Sequence, residues 1–140
     1  MKLVVVAAGK LRGPERTLCD EYFARTRRYV ACDEREVRNA EDLGAAIPSG
    51  AVIVVLEPGG DAITSTELSK RVERWSSRAK GIVAFVVGGA EGIPRDLVTR
   101  ADARLSLSTL TLPHRLARVV LAEQIYRAMT ILRGEPYARE

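Results

Sequence analysis

One histidine and two cysteines in 140 residues leave little from which to assemble a metal centre. His114 has no second imidazole to pair with, and Cys19 and Cys32 form no Cys-x-x-Cys, so no zinc ligand set can be read and no metal is expected beyond a magnesium held transiently by carboxylates. A lone pair of cysteines in a chain long enough to build its own core reads as two reduced thiols. Long apolar runs are also missing. The strongest, Ile82–Val87, falls far short of the roughly 20 residues that a membrane helix requires. The first residues enter a strand-like pattern with no small-residue cleavage site before it, so the expected location is the cytoplasm. There is no internal repeat and no low-complexity segment.

What remains, 46% hydrophobic and 29% charged, is the composition of one globular domain over residues 1–140 that buries roughly two-thirds of its unfolded surface. The net charge is +4, and most of the cations are arginines, which fork onto phosphate and stack on bases. Acidic partners are therefore favoured. Arg25, Arg27 and Arg28 are the densest cluster, although a solvated helix face accounts for them equally well.

Strand-like and helix-like patterns alternate along the chain. Lys2–Ala8 reads as a strand, and Gly13-Pro14 opens a helix with proline at a position where its missing donor costs little. Residues 32–38 alternate polar and apolar as an edge strand does, and 41–47 form a short helix stopped by Pro48-Ser49-Gly50. Residues 51–56 and Ile82–Val87 are continuous apolar runs, the pattern of parallel strands covered on both faces. Between them Thr64 and Glu67 fit a capping box, and Leu68, Val72, Trp75 and Ala79 recur at helical spacing. A short helix over 94–100, a strand over 103–107 and a long helix over His114–Leu132 complete the series. Such alternation predicts an α/β fold with a mainly parallel sheet flanked by helices and a ligand site outside the carboxyl ends of the strands.

Three segments follow strands there: 56–60, Gly88-Gly89-Ala90-Glu91-Gly92, and the hydroxyl-rich 107–112. The turn after the first strand lacks the glycines of a dinucleotide fingerprint, and no glycine loop ends in Lys-Ser or Lys-Thr, so nicotinamide and phosphate-loop chemistry are both disfavoured. His114 reads first as a helix-start capping or packing residue. Glu91 is either a solvated turn carboxylate or a partner for a cationic ligand. Arg115 and Arg118, three apart on a helix, are candidates for RNA phosphate or a solvated face.

Met1-Lys2-Leu3, Leu56-Glu57, the Gly88–Gly92 cluster, Leu105 through His114, Arg118-Val119, Ala122-Glu123-Gln124-Ile125-Tyr126-Arg127-Ala128 and Pro136-Tyr137-Ala138-Arg139-Glu140 together resemble the RlmH family of the SPOUT methyltransferase superfamily, over essentially the whole chain. The resemblance implies a C-terminal trefoil knot, which periodicity by itself would never suggest. It implies an S-adenosyl-L-methionine-dependent enzyme that methylates N3 of a pseudouridine in 23S rRNA, on the assembled ribosome and as a homodimer. Leu56, Gly88, Leu107, Ser108, Thr109, Leu110, Thr111 and Leu112 would then wall the cofactor slot. Arg139 and Tyr137 would meet the target base as catalytic residues, Arg139 stabilising charge on the uracil edge and Tyr137 positioning it.

Two departures stand out. Ala138 occupies the place of a family histidine, and the stretch between Ala31 and Pro48 is short. The alternatives kept open are a SPOUT enzyme acting on tRNA and a ribosome-binding factor without catalysis.

Overall fold

The computed structural model describes residues 1–78 and 80–139, without the side chain of Arg139; Ala79 and Glu140 lie outside the described residues. Five strands form a single parallel sheet: β1 (Lys2–Ala8), β2 (Ala31–Val37), β3 (Val52–Ala62), β4 (Ile82–Val87) and β5 (Ala103–Ser106). The strand order is β2-β1-β4-β3-β5. The expected edge strand is indeed at an edge, and the apolar runs β3 and β4 lie side by side in the interior, with Val54 paired to Phe85.

Alternation within the strands sorts the helices onto two layers. Leu3, Val5 and Ala7 of β1 face α1 (Gly13–Thr26), α3 (Ser65–Ser76) and α5 (His114–Leu132), whose Cys19, Phe23, Leu68, Val72, Leu121 and Ile125 fill that side. Val4, Val6 and Ala8 face the other way, onto Leu43 of α2 (Leu43–Ala46) and Leu97 of α4 (Arg95–Arg100). Both faces of the sheet interior are therefore dry, which is why β1, β4 and residues 52–56 of β3 carry almost no polar residues, whereas the edge strand β2 carries four charges. The helix expected over 41–47 divides into a 3-10 turn at Ala40–Asp42 and the short α2, because Asn39 and Asp42 cap each other and tighten the first turn. At α3 the Thr64 hydroxyl accepts the Glu67 N–H at 3.1 Å, one half of the expected capping box, while the Glu67 carboxylate accepts from Arg71 at 3.3 Å instead of closing the other half.

One boundary differs in a way that shapes the site. The segment 56–60 is not a free loop: β3 runs on to Ala62, and both Leu56 and Asp61 pair with Leu105 of β5. The residues between them bulge out of the ladder. Gly60 permits this, since a Cβ there would lie 2.7 Å from the Leu105 backbone. The bulge projects Glu57, Pro58 and Gly59 beyond the carboxyl end of the sheet.

Candidate active site

All strands run parallel, so their carboxyl ends open on one edge. There the β3 bulge, the glycine turn after β4 and the segment after β5 enclose a cavity of about 520 Å³, within the size range of small-molecule and cofactor sites. Leu56, Gly88 and every residue from Leu107 through Leu112 line it, so the eight residues singled out as a cofactor slot surround one space.

Each wall has a local cause. After β4 the chain turns back tightly: the Gly92 N–H donates to the Gly89 carbonyl at 3.0 Å, and Gly92 has a φ of +75°, a conformation that glycine adopts without strain. Gly88 is packed against this turn so closely that a Cβ would lie 2.6 Å from the Gly92 carbonyl carbon. In the segment after β5, the Ser108 hydroxyl accepts the Leu110 N–H at 2.9 Å and the Ser106 hydroxyl donates to the Ser108 carbonyl at 2.8 Å. These serines therefore stiffen the loop from within.

Among the described residues no lysine or arginine lines the cavity; its one carboxylate is Glu57, held by the Arg104 guanidinium from outside. A polyphosphate ligand would find no countercharge here, whereas a neutral nucleoside attached to a cationic sulfonium meets small residues, main-chain polar groups and a carboxylate. The donor set fits S-adenosylmethionine on those grounds. Glu57 was not among the residues expected to wall the slot, although it lies in the 56–60 segment and in the Leu56-Glu57 match; the bulge that delivers it to the wall is a tertiary feature. Glu91 does not line the cavity and is exposed. His114 does line it, is exposed, and makes no capping bond at the start of α5, so it is neither the cap nor the packing residue that the sequence suggested.

Tyr137, the expected catalytic residue whose side chain is described, does not line this cavity. Tyr137 belongs to a 3-10 turn at Pro136–Arg139 that folds back along α5. Its hydroxyl donates to Glu123 at 2.5 Å, its ring meets Tyr126 edge-on at 4.7 Å, and Arg127 stacks over it at 4.8 Å while also donating to Glu123 at 2.8 Å. Burial first, then the bond to Glu123, pushes the Tyr137 hydroxyl well above its ordinary range, which suits a positioning group and not a base. The Arg139 side chain lies outside the described residues.

Arg118, a candidate for phosphate contact, is instead 3% exposed. It donates to the Gly9 carbonyl at 3.0 Å, to Glu34 at 2.8 Å and to Glu36 at 2.5 Å. Arg16 joins the same carboxylates, meeting Glu36 at 3.0 Å. This cluster fastens the first turns of α5 to β2 and to the turn after β1. Cys19 and Cys32 are buried free thiols, each pushed up to about 11 mainly by burial, and neither is a nucleophile at neutral pH. Among the described residues no group of three or more His, Cys, Asp or Glu is placed to hold a metal ion, and no helix is long and apolar enough to cross a membrane.

A parallel α/β sheet with a glycine-walled cavity at its carboxyl edge, lined by no lysine or arginine among the described residues, defines a protein built to hold a small molecule there. The chain belongs to the SPOUT methyltransferase family: the family profile described as "Predicted SPOUT methyltransferase" matches residues 1–138. It is 54% identical to the "Ribosomal RNA large subunit methyltransferase H" of Sorangium cellulosum, with 99% of each chain covered. It is 41% identical to the protein of the same name from Paracoccus denitrificans, with 100% of each covered. A solved structure, a probable methylase family protein from Haemophilus influenzae Rd KW20, superposes with a TM-score of 0.61 over 96% of this chain and 69% of its own, at 11% identity, a likeness of fold.

Proposed function

We propose that this methyltransferase uses S-adenosylmethionine to methylate N3 of a pseudouridine in the 23S rRNA of assembled ribosomes in the cytoplasm, acting as a homodimer of single-domain chains. The observation that carries the reading is the convergence of Leu56, Gly88 and Leu107 through Leu112 on a cavity with no cationic lining. The names of the 54% and 41% identical relatives support the large-subunit RNA target. The trefoil knot implied by the resemblance belongs to the same proposal.

Bound S-adenosylmethionine would supply an electrophilic methyl carbon on a sulfonium. The chain's own work is alignment. Gly88 and Gly89 let the backbone approach closely, the 106–112 segment is stiffened by its own serines, and Glu57 brings an Arg104-paired carboxylate to the wall. Leu110 and Leu116 are exposed apolar side chains, 77% and 47%, the first on the cavity wall and the second on the first turn of α5 beside it. A second chain covering them would dry the site and bring its own tail across. Tyr137, braced by Glu123, Tyr126 and Arg127, would orient that tail, and Arg139 would stabilise the charge developing on the base as its N3 proton leaves.

Methyl incorporation should be compared on assembled ribosomes, free 23S rRNA and tRNA, each with and without the pseudouridine. Transfer confined to pseudouridine-bearing ribosomes is expected. Transfer to tRNA would overturn the substrate, and donor binding without transfer would identify a ribosome-binding factor whose Ala138 reflects lost catalysis. Arg139→Ala should lower turnover at least about a hundredfold, in line with the loss of one charge-stabilising group, and leave donor affinity unchanged. Equal loss of turnover and affinity would make the tail a structural element instead.

A further inference from the structure

We propose that Lys10, Arg12, Arg38 and Arg115 form a cationic lip beside the cavity that takes the phosphates of the RNA strand carrying the target base. The inference rests on the methyl-transfer reading above and adds to it the surface that holds the substrate.

The four residues come from three elements that hydrogen bonds tie together. As the chain leaves β1, the Gly9 N–H donates to the Val37 carbonyl at 2.8 Å, so Lys10 and Arg38, the residues that follow each, emerge side by side. The Gly9 carbonyl accepts from Arg118 at 3.0 Å, which brings the start of α5 to the same place, and Arg115 stands three residues earlier on that helix. The Leu11 N–H donates to Glu36 at 2.9 Å and holds the turn between Lys10 and Arg12 in position. On the other flank, a Cβ on Gly89 would lie 3.2 Å from the Ala8 carbonyl oxygen, and Gly89 lines the cavity. Lip and cavity therefore share a wall.

The charges there are available. All four side chains are exposed, and none forms an ion pair or side-chain hydrogen bond among the described residues. The nearby carboxylates Glu34 and Glu36 are already engaged by Arg16 and Arg118, so they do not cancel the lip. Four like charges on segments tied to one another repel. A polyanion relieves that repulsion, and the one whose base must reach the neighbouring cavity is the RNA strand.

The test is the triple variant Lys10→Ala, Arg12→Ala, Arg38→Ala, which spares every cavity residue. Its KM for the ribosomal substrate should rise at least about tenfold. The logarithmic salt dependence of ribosome binding should flatten by about two, since each phosphate contact contributes roughly 0.7 to 0.9 to the slope. S-adenosylmethionine affinity and kcat should stay within about twofold. The charge-keeping variant Lys10→Arg, Arg12→Lys, Arg38→Lys should restore KM. An unchanged KM and slope, a simultaneous loss of donor affinity, or no rescue by the charge-keeping variant would overturn the lip. Wild-type protein that transfers no methyl yet binds ribosomes through these three residues would overturn the methyl-transfer reading and leave the lip standing.

Discussion

Gly88→Val should lower S-adenosylmethionine affinity about tenfold to a hundredfold while leaving the chain folded. A Cβ at this position would lie 2.6 Å from the Gly92 carbonyl carbon and 2.8 Å from its oxygen, distances no packed carbon tolerates. Because the obstruction is backbone, it cannot swing aside. Either the glycine turn moves into the cavity or the end of β4 shifts, and overpacking of this kind costs about 1–3 kcal/mol. Gly88 and Gly92 are wall residues, so that displacement appears as lost donor binding, at about 1.4 kcal/mol per tenfold. Calorimetry of donor binding and a thermal melt on the same sample make the check. Unaltered affinity would remove this cavity as the donor site. Gly88→Val and Arg139→Ala are also expected to separate: the first acts on binding, the second on turnover.

Arg118→Met should destabilise the fold by about 3 kcal/mol, the scale for stripping one partner from a buried ion cluster. The loss is large because Glu34 and Glu36 would keep their charge beside a methionine. It should therefore shrink when both carboxylates are changed to glutamine in the same chain, a coupling that a double-mutant cycle on chemical unfolding measures. Additive losses would show that Arg118 acts through packing alone. The same cluster sets an acid limit. Burial would raise Glu36, but the Leu11 N–H, the bond from Arg118 and the charges of Arg118 and Arg16 outweigh it and hold the carboxyl below its usual 4.5. A carboxylate with a lowered folded value stabilises the protein above its unfolded value and ceases to do so as pH falls through the folded one. Stability should thus decline below about pH 4.5 by more in the wild type than in Glu36→Gln, whose unfolding curve is the direct comparison.

How much of this was legible in the chain differs by element. β1, β4 and α5 have the bounds read from their patterns, Lys2–Ala8, Ile82–Val87 and His114–Leu132. Those segments carry an unbroken local signal: apolar runs sealed by glycine in the strands, and a proline just ahead of the helix. β3 was read short, because Glu57-Pro58-Gly59-Gly60 has the composition of a loop, and only pairing with β5 across the bulge continues the strand. The loops that wall the cavity were legible in their glycines and small hydroxyls, but the eight individual wall residues came from the family resemblance, and four of them, Leu56, Leu107, Leu110 and Leu112, carry no such signal. Glu57 and His114 were missed as wall residues, since nothing in their neighbours shows which way a bulge or a first helical turn will point.

From the order of residues alone came an α/β chain with a parallel sheet, three loops on one edge, and no means of holding a metal by histidine and cysteine. Apolar periodicity and glycine placement are short-range properties, and they carry that much. Which arginines are free was a matter for the tertiary structure. Arg115 and Arg118 read alike on one helix, yet Arg118 lies against carboxylates 84 and 82 residues away and Arg115 stands in solvent. Tyr137 likewise rests on Glu123, outside its own chain's cavity. Charge pairing and the path of a tail depend on contacts between distant segments, which exist only once the sheet has set those segments side by side.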